Sequence, residues 1–361
     1  MTGARPESDG ALVAPPPPAG VQALNSPPSI SVIVPAYEAA GTIGETVESV
    51  LAQSQPAHEV IVVDDGSADG LTEALSPFRD RIALVRNPHG GVAAARNAGW
   101  RRCTGDFVLI VDADDVISSE KLRALGRLGQ QRPDLDLLCT DMYFESEGRR
   151  TGRFGEVNPF PRGNQRQVIL ERCFAIQPAF RRSSLESVDG FDESLLTAED
   201  WDCVLRLILN GSAAGLWDEP LATYRIHPGS LTASRQRTLR DRSTILEKAL
   251  RNPALRPEEH RFLERSLLNS RARVSLAAAQ SALAEGTPGA RRLGLRLAGT
   301  AAAPLWTRLW GLALAIAPAR LHPWLLKCSS ASSQLLRVLP GEGGGGAARR
   351  RDSACAKPDI H

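Results

Sequence analysis

Asp112, Asp114 and Asp115 close an apolar run in the stretch Gly105-Asp-Phe-Val-Leu-Ile-Val-Asp-Ala-Asp-Asp. Residues 107–111 read as a short buried strand, bounded by Gly105 before and by charge after. Alternation along a strand sends Asp112 and Asp114 to the same side where the sheet ends. Two converging carboxylates with no basic residue between them are costly unless a positive group joins them. A divalent cation carrying a phosphorylated ligand meets that need. An acidic loop capping a helix that starts near Ser118 is the plainer alternative.

Three further clusters carry chemistry. Asp64 and Asp65 precede the tight turn Gly66-Ser-Ala-Asp69. A carboxylate there can accept hydrogen bonds from a nucleobase edge or a ribose hydroxyl, or Ser67 and Asp69 can simply hold backbone amides. Glu199 and Asp200 open a helix over residues 201–209, where acidic residues suit the dipole. A carboxylate so placed beside a metal-bound leaving group can also deprotonate an acceptor hydroxyl. His227, in Tyr224-Arg-Ile-His-Pro-Gly-Ser230, is either a solvated loop histidine or a ligand of metal or diphosphate. Neither Gly-x-Gly-x-x-Gly after the first strand nor Gly-x-x-x-x-Gly-Lys-Ser/Thr is present, which removes the best support for dinucleotide and P-loop sites.

Strands and helices alternate around these residues. Residues 29–35, 59–63, 81–85 and 107–111 read as strands; residues 43–51 and 71–75, and a segment opening at Gly90-Gly-Val-Ala-Ala-Ala-Arg-Asn-Ala-Gly99, read as helices. This alternation predicts an α/β, Rossmann-like, mostly parallel sheet flanked by helices, with ligands outside the carboxyl ends of the strands. A further strand is expected over residues 135–144. Beyond Arg235 the chain reads as a helical appendage. The expected division is a disordered tail over 1–28, a catalytic domain over 29–232, a helical region over 233–340 and a disordered basic tail over 341–361. The first 22 residues lack a basic start followed by an apolar core, so they are not expected to be a signal peptide.

Of the 361 residues, 42% are hydrophobic and 23% charged, as in a globular protein with a real core. Six scattered cysteines without C-x-x-C suggest a reducing compartment, and a cytoplasmic location is expected, with a peripheral seat on the inner face of a membrane. Net charge is +2, yet residues 234–361 hold 22 Lys/Arg against 9 Asp/Glu, which leaves the preceding part at −11. The basic part can face an anionic membrane, with Trp324, Lys327 and Arg320 at the interface. Basic residues without interleaved aromatics, and no recognition motif, argue against nucleic acid.

In order and spacing, Val34-Pro-Ala-Tyr-Glu38, Val62-Val-Asp-Asp-Gly-Ser-Ala-Asp69, Gly91-Val-Ala-Ala-Ala-Arg-Asn-Ala-Gly99, the 105–115 stretch, Gly190-Phe-Asp192, Glu199-Asp200 and Tyr224-Arg-Ile-His227 resemble the family 2 inverting glycosyltransferases of the GT-A fold. The resemblance covers roughly residues 29–232; Glu38 departs from the family's common Asn. It implies a nucleotide-diphosphate-sugar donor, a UDP-sugar first, and a hydroxyl acceptor on a glycan or lipid-linked sugar, in cell-surface polysaccharide or glycolipid synthesis. It further implies that Pro35, Tyr37 and Asp65 line the base and ribose pocket, with Arg96 near the nucleotide. Asp112 would contact ribose or metal-bound water, and Asp114 would coordinate Mn²⁺ or Mg²⁺. Asp200 would be the general base, and His227 a diphosphate or metal contact. A nucleotidyltransferase would need a Gly- and Lys/Arg-rich loop where Pro35-Ala-Tyr-Glu stands. A non-catalytic nucleotide-sugar or glycan-binding scaffold would have no need of Asp200.

Overall fold

The computed structural model describes residues 11–226, 235–284 and 289–299, with 308–309 and 311–312. Its centre is the set of runs that are apolar on both faces. Strands β2 (Ile30–Ala36), β3 (Glu59–Asp64), β4 (Ala83–Arg86) and β5 (Phe107–Ile110) pair in parallel, in the order β4-β3-β2-β5. Alternate residues feed two cores. Ile33, Ile61, Val63, Val108 and Ile110 face one, and Val32, Val34, Val60, Val62 and Leu109 the other. Burial on both faces explains the absence of polar alternation in β2, β3 and β5.

Helix α1 (Ile43–Leu51) packs Val47 and Val50 into the second core, joined by α2 (Leu71–Ala74) through Leu71. On the opposite face α3 (Val92–Trp100) lies close to β2 and β3. A Cβ on Gly99 would sit 2.6 Å from Ile33 Cγ2, so only glycine permits this approach. After β5 come the two-residue β6 (Val116–Ile117) and α4 (Lys121–Gln131), whose buried face holds Leu122, Leu125 and Leu128.

The second half of the sheet is mixed. β7 (Leu137–Ser146) folds back on β8 (Arg149–Arg153); α5 (Phe154–Val157) and α6 (Gln165–Glu171) follow. β9 (Ala179–Arg181) then inserts antiparallel between β5 and β7, and is followed by α7 (Arg182–Ser187). α8 (Glu199–Leu209) leads to β10 (Ala214–Ile226), which runs parallel to β7 with register shifts around Pro220. At the edge of β10, Ala11–Val13 pairs antiparallel as β1. That part of the expected N-terminal tail is therefore a sheet strand; three residues ahead of a proline run carry no local signal for it.

Helices α9 (Arg235–Ala249), α10 (Pro257–Ala284) and α11 (Gly289–Gly299) complete the described chain. α9 and α10 are not a detached appendage. Ile245, Leu246, Leu263 and Leu267 share the core cluster of α3, α6 and α8, and Arg166 bridges to Glu259 through Nε at 2.6 Å and Nη2 at 2.9 Å. His227, the 341–361 tail and the Trp324, Lys327 and Arg320 group lie outside the described residues. No helix among the described residues is long and apolar enough to cross a membrane.

Candidate active site

The carboxyl ends of β2, β3 and β5 open onto one edge of the sheet, and the sequence motifs meet there. Beyond β5 the chain still pairs at Val111, whose amide donates to Ile33 O (2.9 Å), and then turns through Asp115 N to Asp112 O (3.0 Å). Thr46, buried on α1, fixes the turn: its hydroxyl lies 3.0 Å from Ala113 O and 2.8 Å from Asp115 O. Asp112 and Asp114 are half-buried, whereas Val111, Ala113 and Asp115 are buried, the alternation expected of a strand end.

Asp115 has a different task from its neighbours. Its carboxylate accepts from Gln177 Nε2 (2.6 Å) and from the Arg225 amide (3.2 Å). Burial, reinforced by the charges of Asp112 and Asp114, pushes its carboxyl well above the ordinary carboxylate range. Gln177 also lies 3.4 Å from the ammonium of fully buried Lys121, which bonds Thr140 Oγ1 at 3.1 Å. Burial lowers Lys121 to about 8, with Cys139, Asp115 and Asp141 opposing. Sequence reading passed over Lys121 and Gln177, since neither stands in a motif.

Arg96 joins the two halves of the site. From the middle of α3 its Nη2 donates to Asp112 Oδ1 at 2.9 Å and its Nη1 to Glu199 Oε1 at the start of α8, with Phe191 beneath the guanidinium. The Arg96 and Glu199 side chains are only 10% and 7% exposed. Burial alone would favour neutral arginine, but the charges of Glu199, Asp112 and Asp200 outweigh it and raise Arg96 further. Burial drives Glu199 up to about 7, against the pull of Arg96 and with the Asp200 charge adding. Asp200 is also raised, by burial first, with Arg96 opposing. Its Oδ1 accepts the Trp201 amide at 2.7 Å, and the residue is half-buried. Asp112, Asp200 and Arg96 thus act on one another electrostatically. Arg96, expected near the nucleotide, has its guanidinium committed to these carboxylates.

The opposite end of the cleft is shaped by loops. Pro35 is buried within β2, and Tyr37, just beyond that strand, is 50% exposed with its ring stacked on His89 at 4.2 Å between centroids. Asp65 is buried, and its carboxylate accepts from Gly90 N (3.0 Å) and Gly91 N (2.8 Å), with His89 Nδ1 at 3.1 Å. Asp65 thus holds the 89–91 loop. Asp69 and Ser67 do hold backbone amides, those of Ala40 (2.7 Å) and Glu38 (3.0 Å), across the turn between β2 and α1. Glu38 returns a bond to Ala68 N (2.8 Å) from a left-handed backbone, φ 49.

Gly190-Phe-Asp192 packs behind Arg96. Asn97 accepts the Phe191 amide at 2.9 Å and donates to its carbonyl at 2.8 Å. Gly190 has φ 66, and a Cβ there would lie 2.3 Å from Trp100 Nε1, which explains the glycine.

Residues 31–188 match the family described as Glycosyl transferase family 2. Over 229 residues the chain is 31% identical to the succinoglycan biosynthesis protein ExoO of Rhizobium meliloti, covering 58% of this chain and 64% of that protein. Among solved structures it resembles S. aureus TarS 1–349 in complex with UDP-GlcNAc, with a TM-score of 0.59 and 21% identity over 86% of this chain and 89% of that one. A mannosyltransferase from Pyrobaculum calidifontis in complex with GDP-Man and Mn²⁺ gives 0.52 and 24%, over 85% and 90%. The chain spans less than two thirds of the length of the curated relatives it matches.

Proposed function

We propose that the chain is an inverting glycosyltransferase that moves a sugar from a nucleoside-diphosphate donor to an acceptor hydroxyl. The observation that carries this reading is the bridge Asp112–Arg96–Glu199, which sets the half-buried Asp200 across from the strand-end aspartates. Asp200 takes the proton of the acceptor hydroxyl, whose oxygen bonds to the anomeric carbon as the bond to the diphosphate breaks. One in-line displacement inverts that centre and needs no carboxylate nucleophile. A raised carboxyl at Asp200 suits proton abstraction near neutral pH. Tyr37 offers an exposed ring for the base, beside Pro35 and the Asp65-held loop.

Asp112 and Asp114, with the carboxyls of Asp115, Glu199 and Asp200 close by, would repel a diphosphate unless a cation accompanies it. Asp112 and Asp114 are the hard oxygen donors that suit Mg²⁺ or Mn²⁺. No group of three or more His, Cys, Asp or Glu able to hold a metal occurs among the described residues. Such ions are commonly held by one or two carboxylates plus substrate phosphates, so the pair suffices. When bound, the ion would neutralise charge on the departing diphosphate. Asp114→Asn and chelation should then each abolish transfer, and full activity after chelation would refute the metal assignment.

Asp200→Asn should lower turnover about 10²–10⁴-fold while leaving donor binding intact by calorimetry. Weakened donor binding would make Asp200 a ligand contact, near-normal turnover would move the base to Glu199 or Asp202, and a parent chain without turnover would leave the scaffold reading. UDP-sugars are the first donors to screen, by metal-dependent protection against thermal unfolding beside GDP- and dTDP-sugars. The ExoO likeness supports a glycan acceptor in cell-surface polysaccharide or glycolipid assembly. Exposed Leu295, Leu309 and Leu312 stand beside exposed Arg292, Arg296 and Arg308, which supports peripheral seating on the cytoplasmic face of an anionic membrane. Equal sedimentation with anionic and neutral vesicles would count against that seating.

A further inference from the structure

The segment that delivers Glu199 and Asp200 has no strand or helix of its own between Phe191 and α8. Its last residue, Ala198, lies in the left-handed region, φ 59 and ψ 22. A residue with a Cβ is strained there, so neighbouring contacts must over-determine it. Those contacts come from α9. Thr197, buried, gives both its amide (2.9 Å) and its hydroxyl (2.7 Å) to one oxygen of Asp241, 44 residues further on. Seven residues after Asp241, Lys248 pairs with Asp192, at the start of the segment, and with Asp202 Oδ1 (3.1 Å) in the first turn of α8. Ile245, on that face between them, is fully buried. One face of α9 therefore grips the segment near both ends and holds the first turn of α8.

We infer that α9 belongs to the catalytic apparatus, with Asp241 a positioning residue that acts through Thr197 to hold Ala198, and so to set the direction of Asp200. The inference rests on Asp200 being the base. Asp241 touches no reacting atom and does not meet Tyr37, Asp65 or Asp112, so its loss should fall on the chemical step and spare the donor. A shift of about 1 Å in a catalytic group can cost about 10²-fold.

The test uses the full chain, with Asp241→Asn, Thr197→Val and Thr197→Ser beside Asp200→Asn. Asp241→Asn and Thr197→Val should each lower kcat about 10- to 100-fold, with donor Kd and donor KM within about twofold of the parent. Thr197→Ser keeps the amide and hydroxyl and should retain near-parental kcat. Parental kcat in Asp241→Asn while Asp200→Asn is inactive overturns the positioning role and leaves the base assignment standing. Parental kcat in Asp200→Asn defeats the base assignment instead. A parallel loss of kcat and donor affinity, or of the folded state by circular dichroism, in both Asp241→Asn and Thr197→Val marks a merely structural contact and also overturns the inference. So does a Thr197→Ser enzyme as impaired as Thr197→Val.

Discussion

Replacing Arg96 with Met keeps most of the side-chain volume and removes the one guanidinium that Glu199 and Asp112 share. The cost should depend strongly on pH. In the parent, Glu199 rises from 4.5 to about 7 in the folded protein. The folded state therefore holds the proton more tightly between those values, and stability is fully present below 4.5 and declines as pH rises toward 7. Some 2.5 pH units correspond to about 3 kcal/mol lost over that window. Without Arg96 the carboxyl rises further, so the decline continues above 7. Near pH 5.5 Glu199 is protonated in both proteins, and the substitution removes hydrogen bonds worth about 1–2 kcal/mol. At pH 8.5 it strands a charge whose side chain is 7% exposed, and breaking such a buried pair costs about 3–5 kcal/mol. Asp112, at 36% exposed, adds little because water screens it. Urea unfolding followed by tryptophan fluorescence is a direct assay, since Trp201 lies two residues from Glu199. A destabilisation that is equal at pH 5.5 and 8.5, or larger in acid, would show that the Glu199 charge is not what Arg96 compensates.

Two further substitutions probe strain and burial away from the reacting groups. Lys121 falls from 10.5 to about 8 on folding; its cost is thus fully present below pH 8 and fades as pH rises to 10.5. Lys121→Met should consequently flatten the pH dependence, its stability relative to the parent falling by about 2–3 kcal/mol between pH 7.5 and 10; a constant difference would contradict the shift. Glu38→Asn should raise stability by up to about 1 kcal/mol, because asparagine tolerates the left-handed backbone better. A lower urea midpoint would mean that the bond from Ala68 N outweighs the strain.

How much of this was legible depended on whether the determinant was local. Residues 43–51 are a helix with the bounds read from sequence; β3 and β5 differ from the readings by one residue at one end and β2 by one residue at each end, because runs apolar on both faces leave no other place for them. The third strand was read at 81–85 and is Ala83–Arg86. It is an edge strand with exposed Ala83 and Leu84, so burial does not fix its ends. β9, with three residues, and β1, with three, exist only through their partners and left no periodicity to find. In the site, the strand-end aspartates and the acidic start of α8 were readable as types at positions. The Arg96 bridge spans 103 residues to Glu199 and the Asp241 contact 44 to Thr197, and spacing alone does not announce either.

The charge imbalance ties these findings together. The first 233 residues carry a surplus of acid, and the fold concentrates part of it at one sheet edge. Each carboxylate there has a different solution to its own charge. Asp115 leans on Gln177 and the Arg225 amide and stays hard to ionise; Glu199 shares Arg96 with Asp112; Asp200 accepts one amide through Oδ1 and is only partly buried. The groups with structural work are thus the more deeply buried ones, and those left nearer the cleft are Asp112, Asp114 and Asp200. That division suits the proposed displacement at a charged diphosphate: two carboxylates offered to a cation on one side, a raised carboxyl on the other, and a buried arginine bonded to Asp112 and Glu199 between them.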